Sequence, residues 1–103
     1  MSRCKWKKMK ISVKSKNDID KMRVAGKLAA EVLEMISPHV VPGISTGELD
    51  EICFNHIVNV QKAIPANVGY NGYEKTICAS LNQVICHGIP SNEKVLKSGD
   101  ILN

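Results

Sequence analysis

The spacing of apolar residues changes once along this chain, and the change limits which elements can form where. Met22, Ala25, Ala29, Val32, Leu33 and Ile36 recur every three to four residues, with Leu28 widening the stripe and Lys21, Lys27, Glu31 and Glu34 falling off it. That period belongs to one face of an α-helix. From Thr76 to Leu81 the period is two: Ile77, Ala79 and Leu81 share one side, Thr76, Cys78 and Ser80 the other. That period belongs to extended chain with one face covered. Helices therefore come first and strands second.

Local signals bound the helices. Asn17 is placed to cap the first, with Asp20 near its positive end, and Pro38 stops it, so the expected span is about 18–36. "SPHVVPG" is a connector stiffened by Pro38 and Pro42. Ser45 and Glu48 then form an S-x-x-E capping box, and Ile44 and Leu49 stand where a hydrophobic staple would. The second helix is expected over about 46–62, with Leu49, Ile52, Cys53, His56, Ile57 and Val60 on one face and Pro65 closing the region. His56 on that face reads as a hydrogen-bonded boundary residue before it reads as a ligand. "NVGYNGYEK" is rich in turn formers. Asn82-Gln83 can turn Thr76–Leu81 into a second strand, Val84–His87, and Ser98-Gly99-Asp100 leads to a third, Ile101–Asn103. The expected class is α+β, with two helices packed on a mainly antiparallel sheet.

A chain of 103 residues suits one small domain. No apolar run approaches the ~18 residues of a membrane span, so no membrane span is expected. Residues 1–16 hold seven of the fourteen basic residues and no acidic one, while the remainder, with seven basic and ten acidic residues, is net −3. This segment is expected to be a basic flexible arm, either merely solvated or attracted to RNA, a ribosome or an anionic surface. It has no apolar core of a secretory signal; organelle import stays open because the arm is acid-poor. Cys4, Cys53, Cys78 and Cys86 form no C-x-x-C pair, which suits reduced thiols in the cytoplasm.

His87 is the candidate for chemistry. It ends "VICH", and Gly88 after it leaves room for a ligand to approach the backbone. The local pattern allows substrate contact or proton transfer, and equally a hydrogen-bonded boundary histidine. A Cys86–His87 pair is disfavoured because neighbours on a strand point to opposite faces. No H-E-x-x-H and no carboxylate cluster accompanies the histidine.

Four blocks, "MRVAGKLAAEVLEMI", "PGISTGELDEIC", "GYNGYEKTICASLNQVICHGIP" and "LKSGDILN", together resemble the first portion of the type I (bacterial-type) methionine aminopeptidases, over residues 17–103. The resemblance implies the pita-bread fold and removal of the initiator methionine from nascent polypeptides by metal-dependent hydrolysis. Two divalent ions (cobalt, manganese, iron, zinc or similar) activate the water in that family. By resemblance, His87 is catalytic and contacts the scissile amide, while Tyr70, Tyr73 and Cys78 surround the methionine side chain. The family's metal ligands, two Asp, a His and two Glu, are expected beyond Asn103, so none is assigned within the chain. The expectation is an N-terminal part cut short before those ligands, inactive alone and needing the missing C-terminal half. Departures from the family pattern are Asn67 by the pocket, Glu74 in place of a common proline, and Gln83 on a turn. Two other readings remain: a non-catalytic remnant, and a ribosome- or nucleic-acid-binding fragment using the arm, where Trp6 is the one aromatic able to stack.

Overall fold

The structure, a computed structural model, describes residues 10–103. Most of the expected basic arm, with Cys4 and Trp6, lies outside the described residues. Helix α1 spans Lys16–Ile36 and α2 spans Thr46–Asn55. A 3-10 turn, Ser37–His39, ends α1 at Pro38, and a π-helical turn, His56–Val60, extends α2.

Both helices begin on the same device. Asn17 is not the cap of α1; Ser15 is. Its hydroxyl accepts from Asp18 N at 3.2 Å, and the Asp18 carboxylate accepts from Ser15 N at 3.0 Å. A serine followed three residues later by an acid satisfies two helix-end amides at once, and starting there brings Lys16 and Asn17 into the helix. The α1 stripe is present, yet none of its residues is buried: Met22 is 60% and Leu33 71% exposed. Gln61 ties α1 to the end of α2, its Nε2 donating to the Leu28 carbonyl at 2.9 Å and to Glu31 at 3.3 Å.

At α2 the expected box is made: Glu48 N donates to Ser45 Oγ at 3.1 Å and Ser45 N to Glu48 Oε2 at 2.8 Å. The next two residues hold a distant loop. Thr46 Oγ1 donates to the Ser91 carbonyl at 3.2 Å and accepts from Ser91 N at 2.9 Å. Thr46 N and Gly47 N donate to the carbonyls of Lys94 and Ser91. A Cβ on residue 47 would fall on Asn92, so only glycine allows this approach. Gly43 N to Leu96 O and Leu96 N to Ile44 O, both 2.8 Å, complete the wrap. The helical region ends with Gln61 N donating to His56 O at 2.9 Å, and Lys62, at φ 55°, turns the chain away before Pro65 is reached.

The expected sheet is not formed. Among the described residues there is no strand, only two isolated antiparallel bridges, Ser45 with Val95 and Leu81 with Leu102. The reason lies in the rungs. Ser80 and Asn103 exchange both backbone bonds, at 2.7 and 2.9 Å, and Asn82 N donates to the Ile101 carbonyl. At the next rung Ile101 N donates to Asn82 Oδ1 instead of the carbonyl, because Asn82 has turned to φ 50°. On the other side, Ala79 N reaches Gly88 O at 2.7 Å, but Gly88 N returns to Ser80 Oγ. A side chain takes over each ladder after a rung or two. Val84–His87 makes no ladder, and Ile85 is 89% exposed. The chain bends at Thr76 and Ile77, and Thr76 and Ser80 are buried along with Ala79, so the period-two pattern encodes neither a partner strand nor a single covered face.

The core sits between α2 and these extended segments: Leu49, Cys53, Ala79 and Leu96 are buried, as are the polar Ser45, Thr46, Asp50, Thr76 and Ser80. Among the described residues no buried side-chain polar atom lacks a partner, as buried polar groups require. None of the described helices is long and apolar enough to cross a membrane.

Two outcomes follow from this packing. A Cβ at Gly88 would meet the Ala79 carbonyl, whereas one at Gly26, within α1, would meet nothing. Urea denaturation should show Gly88→Ala destabilising by about 1–3 kcal/mol, and Gly26→Ala stabilising by about 0.5–1 kcal/mol. Burial pushes the Cys53 thiol up to about 11 from 9.0, helped by the nearby Asp50 charge. Its neutral form is favoured only in the folded chain, so the associated stability is present below pH 9.0 and lost as pH rises through about 11. The denaturation midpoint should fall across that window, and less steeply in Cys53→Ala.

Candidate functional site

The turn that carries the tyrosines is built from left-handed backbone. Gly69 has φ 83°, Asn71 φ 48° and Gly72 φ 80°. Gly69 N donates to the Tyr73 carbonyl at 2.7 Å and Tyr73 N to the Tyr70 carbonyl at 2.9 Å, closing a short 3-10 loop over Tyr70–Gly72. The loop throws Tyr70 outward, 69% exposed, and turns Tyr73 back over the segment that follows. The Tyr73 hydroxyl donates to the Ile77 carbonyl at 2.7 Å.

That following segment is held from behind. Asp50, on α2 and 7% exposed, accepts from Thr76 N at 2.8 Å and Ile77 N at 2.9 Å through the same oxygen, Oδ1. Asn67 Nδ2 donates to the Thr76 carbonyl at 3.1 Å. Asn67, the departure from the family pattern noted above, thus has a structural use. Glu74 and Gln83 are exposed.

The result is an open cleft of about 450 Å³ lined by Asn67, Tyr70, Asn71, Tyr73, Cys78, His87 and Ile89. All four residues singled out in the sequence, Tyr70, Tyr73, Cys78 and His87, meet in it. Loss of hydration pushes the Tyr73 phenol up to about 12, assisted by the Cys78 thiol beside it and by the Asp50 charge. Tyr73 is therefore a hydrogen-bond donor at any working pH. His87 is exposed and takes φ 56°, a conformation uncommon outside glycine and enriched at sites that orient a side chain. Cys86, its neighbour, does not line the cleft. Gly88 does not open the backbone to a ligand as expected; the Ala79 carbonyl occupies that space. Two aromatic rings, a thiol and Ile89 suit an apolar, polarizable side chain, and the imidazole suits a polar group at its edge. His56, half-buried at the end of α2, is not among the cleft residues.

Sequence reasoning missed Asp50. The available signal was an acid set between Leu49 and Cys53, two residues of the buried face, where a solvated carboxylate would not belong. A metal pair does not fit the described residues: no three or more His, Cys, Asp or Glu side chains among them converge. Asp50 is committed to two amides, and Asp100 to Lys97 N and Asn82 Nδ2. The cleft around His87 contains no carboxylate.

Residues 20–103 match the model of metallopeptidase family M24. The chain is 63% identical to the methionine aminopeptidase of Escherichia coli K12 over 95 residues, which is 92% of this chain and 36% of that protein. Against the Haemophilus influenzae methionine aminopeptidase the identity is 54%, over 92% of this chain and 35% of that protein. The chain thus spans about a third of the length of these relatives. Its fold superposes on the crystal structure of methionine aminopeptidase from Rickettsia prowazekii with a TM-score of 0.85 at 48% identity, over 90% of this chain and 37% of that one. The Thermotoga maritima enzyme gives a TM-score of 0.85 at 35% identity, over the same shares. The pita-bread expectation agrees with this likeness, although its sheet is absent among the described residues. With the family model covering all but the first nineteen residues, the chain belongs to metallopeptidase family M24.

Proposed function

We propose that this chain forms the substrate side of a methionine aminopeptidase, the enzyme that removes initiator methionine from nascent polypeptides. One observation carries the reading: Tyr70, Tyr73, Cys78 and His87, far apart by local pattern, line a single cleft. In this reading the thioether lies against the tyrosine rings and the Cys78 sulfur, and contact with the rings excludes water from it. The His87 imidazole, which lines the cleft, donates to or accepts from the scissile amide. In methionine aminopeptidases two divalent ions, of cobalt, manganese, iron or zinc type, would supply the activated water. Their ligands belong to the part of the relatives' length that this chain does not span. The work is cytoplasmic, and the basic residues of 1–16 contact the ribosome where nascent N-termini emerge.

The test has two arms. The 103-residue chain alone, given a Met-Ala-Ser peptide with cobalt, manganese or iron(II), should release no methionine. Joined to the remaining length of the Escherichia coli relative, it should release methionine. His87→Ala in that chimera should lower kcat about 100-fold with a much smaller change in KM. An inactive but folded chimera, or a His87→Ala effect confined to KM, would contradict the reading.

A further inference from the structure

Behind the cleft, two consecutive residues act as a hub. Their amides, Thr76 N and Ile77 N, both donate to Asp50 Oδ1. The carbonyls of the same two residues face the other way, Thr76 O accepting from Asn67 Nδ2 and Ile77 O from the Tyr73 hydroxyl. Asn67 and Tyr73 line the cleft, and Cys78, the next residue in the chain, lines it too. Asp50 lines no part of it, yet it is 26 and 27 residues away in sequence from the amides it holds. α2, clasped at its start by residues 91–96, thereby reaches the cleft through one carboxylate oxygen.

We propose that Asp50 is a positioning residue: it fixes the Thr76–Cys78 backbone, and through it the placement of Asn67, Tyr73 and Cys78 in the cleft. The proposal rests on the functional reading above for what the cleft accepts, but not for the placement itself. Two physical effects act together. A buried charged acceptor with two amide donors makes bonds shorter and stronger than a neutral one. The Ile77 N–H and the Thr76 C=O belong to one peptide group, so binding at the amide polarises the carbonyl that Asn67 uses. Asparagine at position 50 keeps an acceptor oxygen of the same reach but not the charge; alanine removes both. The position is therefore expected to tolerate asparagine better than alanine, although both leave the exposed surface unchanged.

The cysteines supply a readout at three places. Cys78 and Cys86 are both exposed, the first on the cleft wall and the second away from it, and buried Cys53 reports the integrity of the core. The experiment is a short iodoacetamide pulse on the full 103-residue chain, wild type, Asp50→Asn and Asp50→Ala, with labelling at each cysteine quantified by mass spectrometry. Asp50→Ala should change Cys78 labelling about fivefold relative to Cys86 while Cys53 stays protected, because the Cys78 thiol loses its place beside the Tyr73 hydroxyl. Asp50→Asn should stay within about twofold of wild type, rescuing the wall through the retained oxygen. Wild-type Cys78 labelling in Asp50→Ala with Cys53 protected would overturn the proposal. Should Asp50→Ala expose Cys53 as well, the amide spectrum of Asp50→Asn decides. Upfield shifts of the Thr76 and Ile77 amide protons and of the Asn67 side-chain amide support the proposal, and an unmoved Asn67 resonance overturns it. No substrate enters the measurement, so failure here leaves the methionine reading standing, and failure of that reading leaves this placement standing.

Discussion

Asp50 Oδ1 accepts two backbone amides, Thr76 N and Ile77 N, in a buried position between α2 and the extended segment after the tyrosine turn. Without that acceptor two amides would lose their partners, each at a cost of about 1–3 kcal/mol. The segment they belong to would then have only its carbonyl-side bonds to hold it. Three of the residues that line the cleft adjoin this anchorage. Tyr73 turns its hydroxyl onto Ile77, Asn67 reaches Thr76, and Cys78 follows directly. The same charge reaches sideways to Cys53 and Tyr73, helping to keep both protonated in the folded chain.

A second constraint holds α2 in place. The motif Ser45-Thr46-Gly47 uses every polar group it has: Ser45 caps the helix, Thr46 makes a reciprocal pair with Ser91, and Gly47 lets Asn92 approach. A helix of only ten residues has little stability of its own. It gains position from this clasp at one end and from the Asp50 bonds along its face. The α1 helix is joined less tightly, through Gln61 and a largely exposed apolar stripe.

What the sequence made legible was local. The S-x-x-E box at Ser45, the stop at Pro38 and the turns at Asn82 and Ser98–Asp100 are all made by residues three or four apart, and all appear. The Ser15 cap escaped notice because Asn17 is an equally good capping type with an acid, Asp20, at the same spacing as Asp18 from Ser15. The sheet was misread because alternation along Thr76–Leu81 is only a tendency toward extended chain, and here the segment bends at Thr76–Ile77 and buries Thr76, Ala79 and Ser80 together. Its pairing is cut short by the Ser80 and Asn82 side chains, which take ladder bonds, and by the left-handed backbone at Asn82 and His87. Asp50 was illegible for the opposite reason: its two partners lie far along the chain, and an acid in an "ELDE" run reads as solvated. The four cleft residues were brought together by family likeness, since no spacing rule links Tyr70 to His87.

The central claim is that this cleft accepts a methionine side chain. Its most direct measurement is a titration of the 103-residue chain with methioninamide and, separately, alaninamide, followed by amide and aromatic resonances. The account predicts saturable shifts with methioninamide that centre on Tyr70, Tyr73, Cys78 and His87, and much smaller ones with alaninamide. Equal responses to the two amides, or shifts centred away from these four residues, would contradict it.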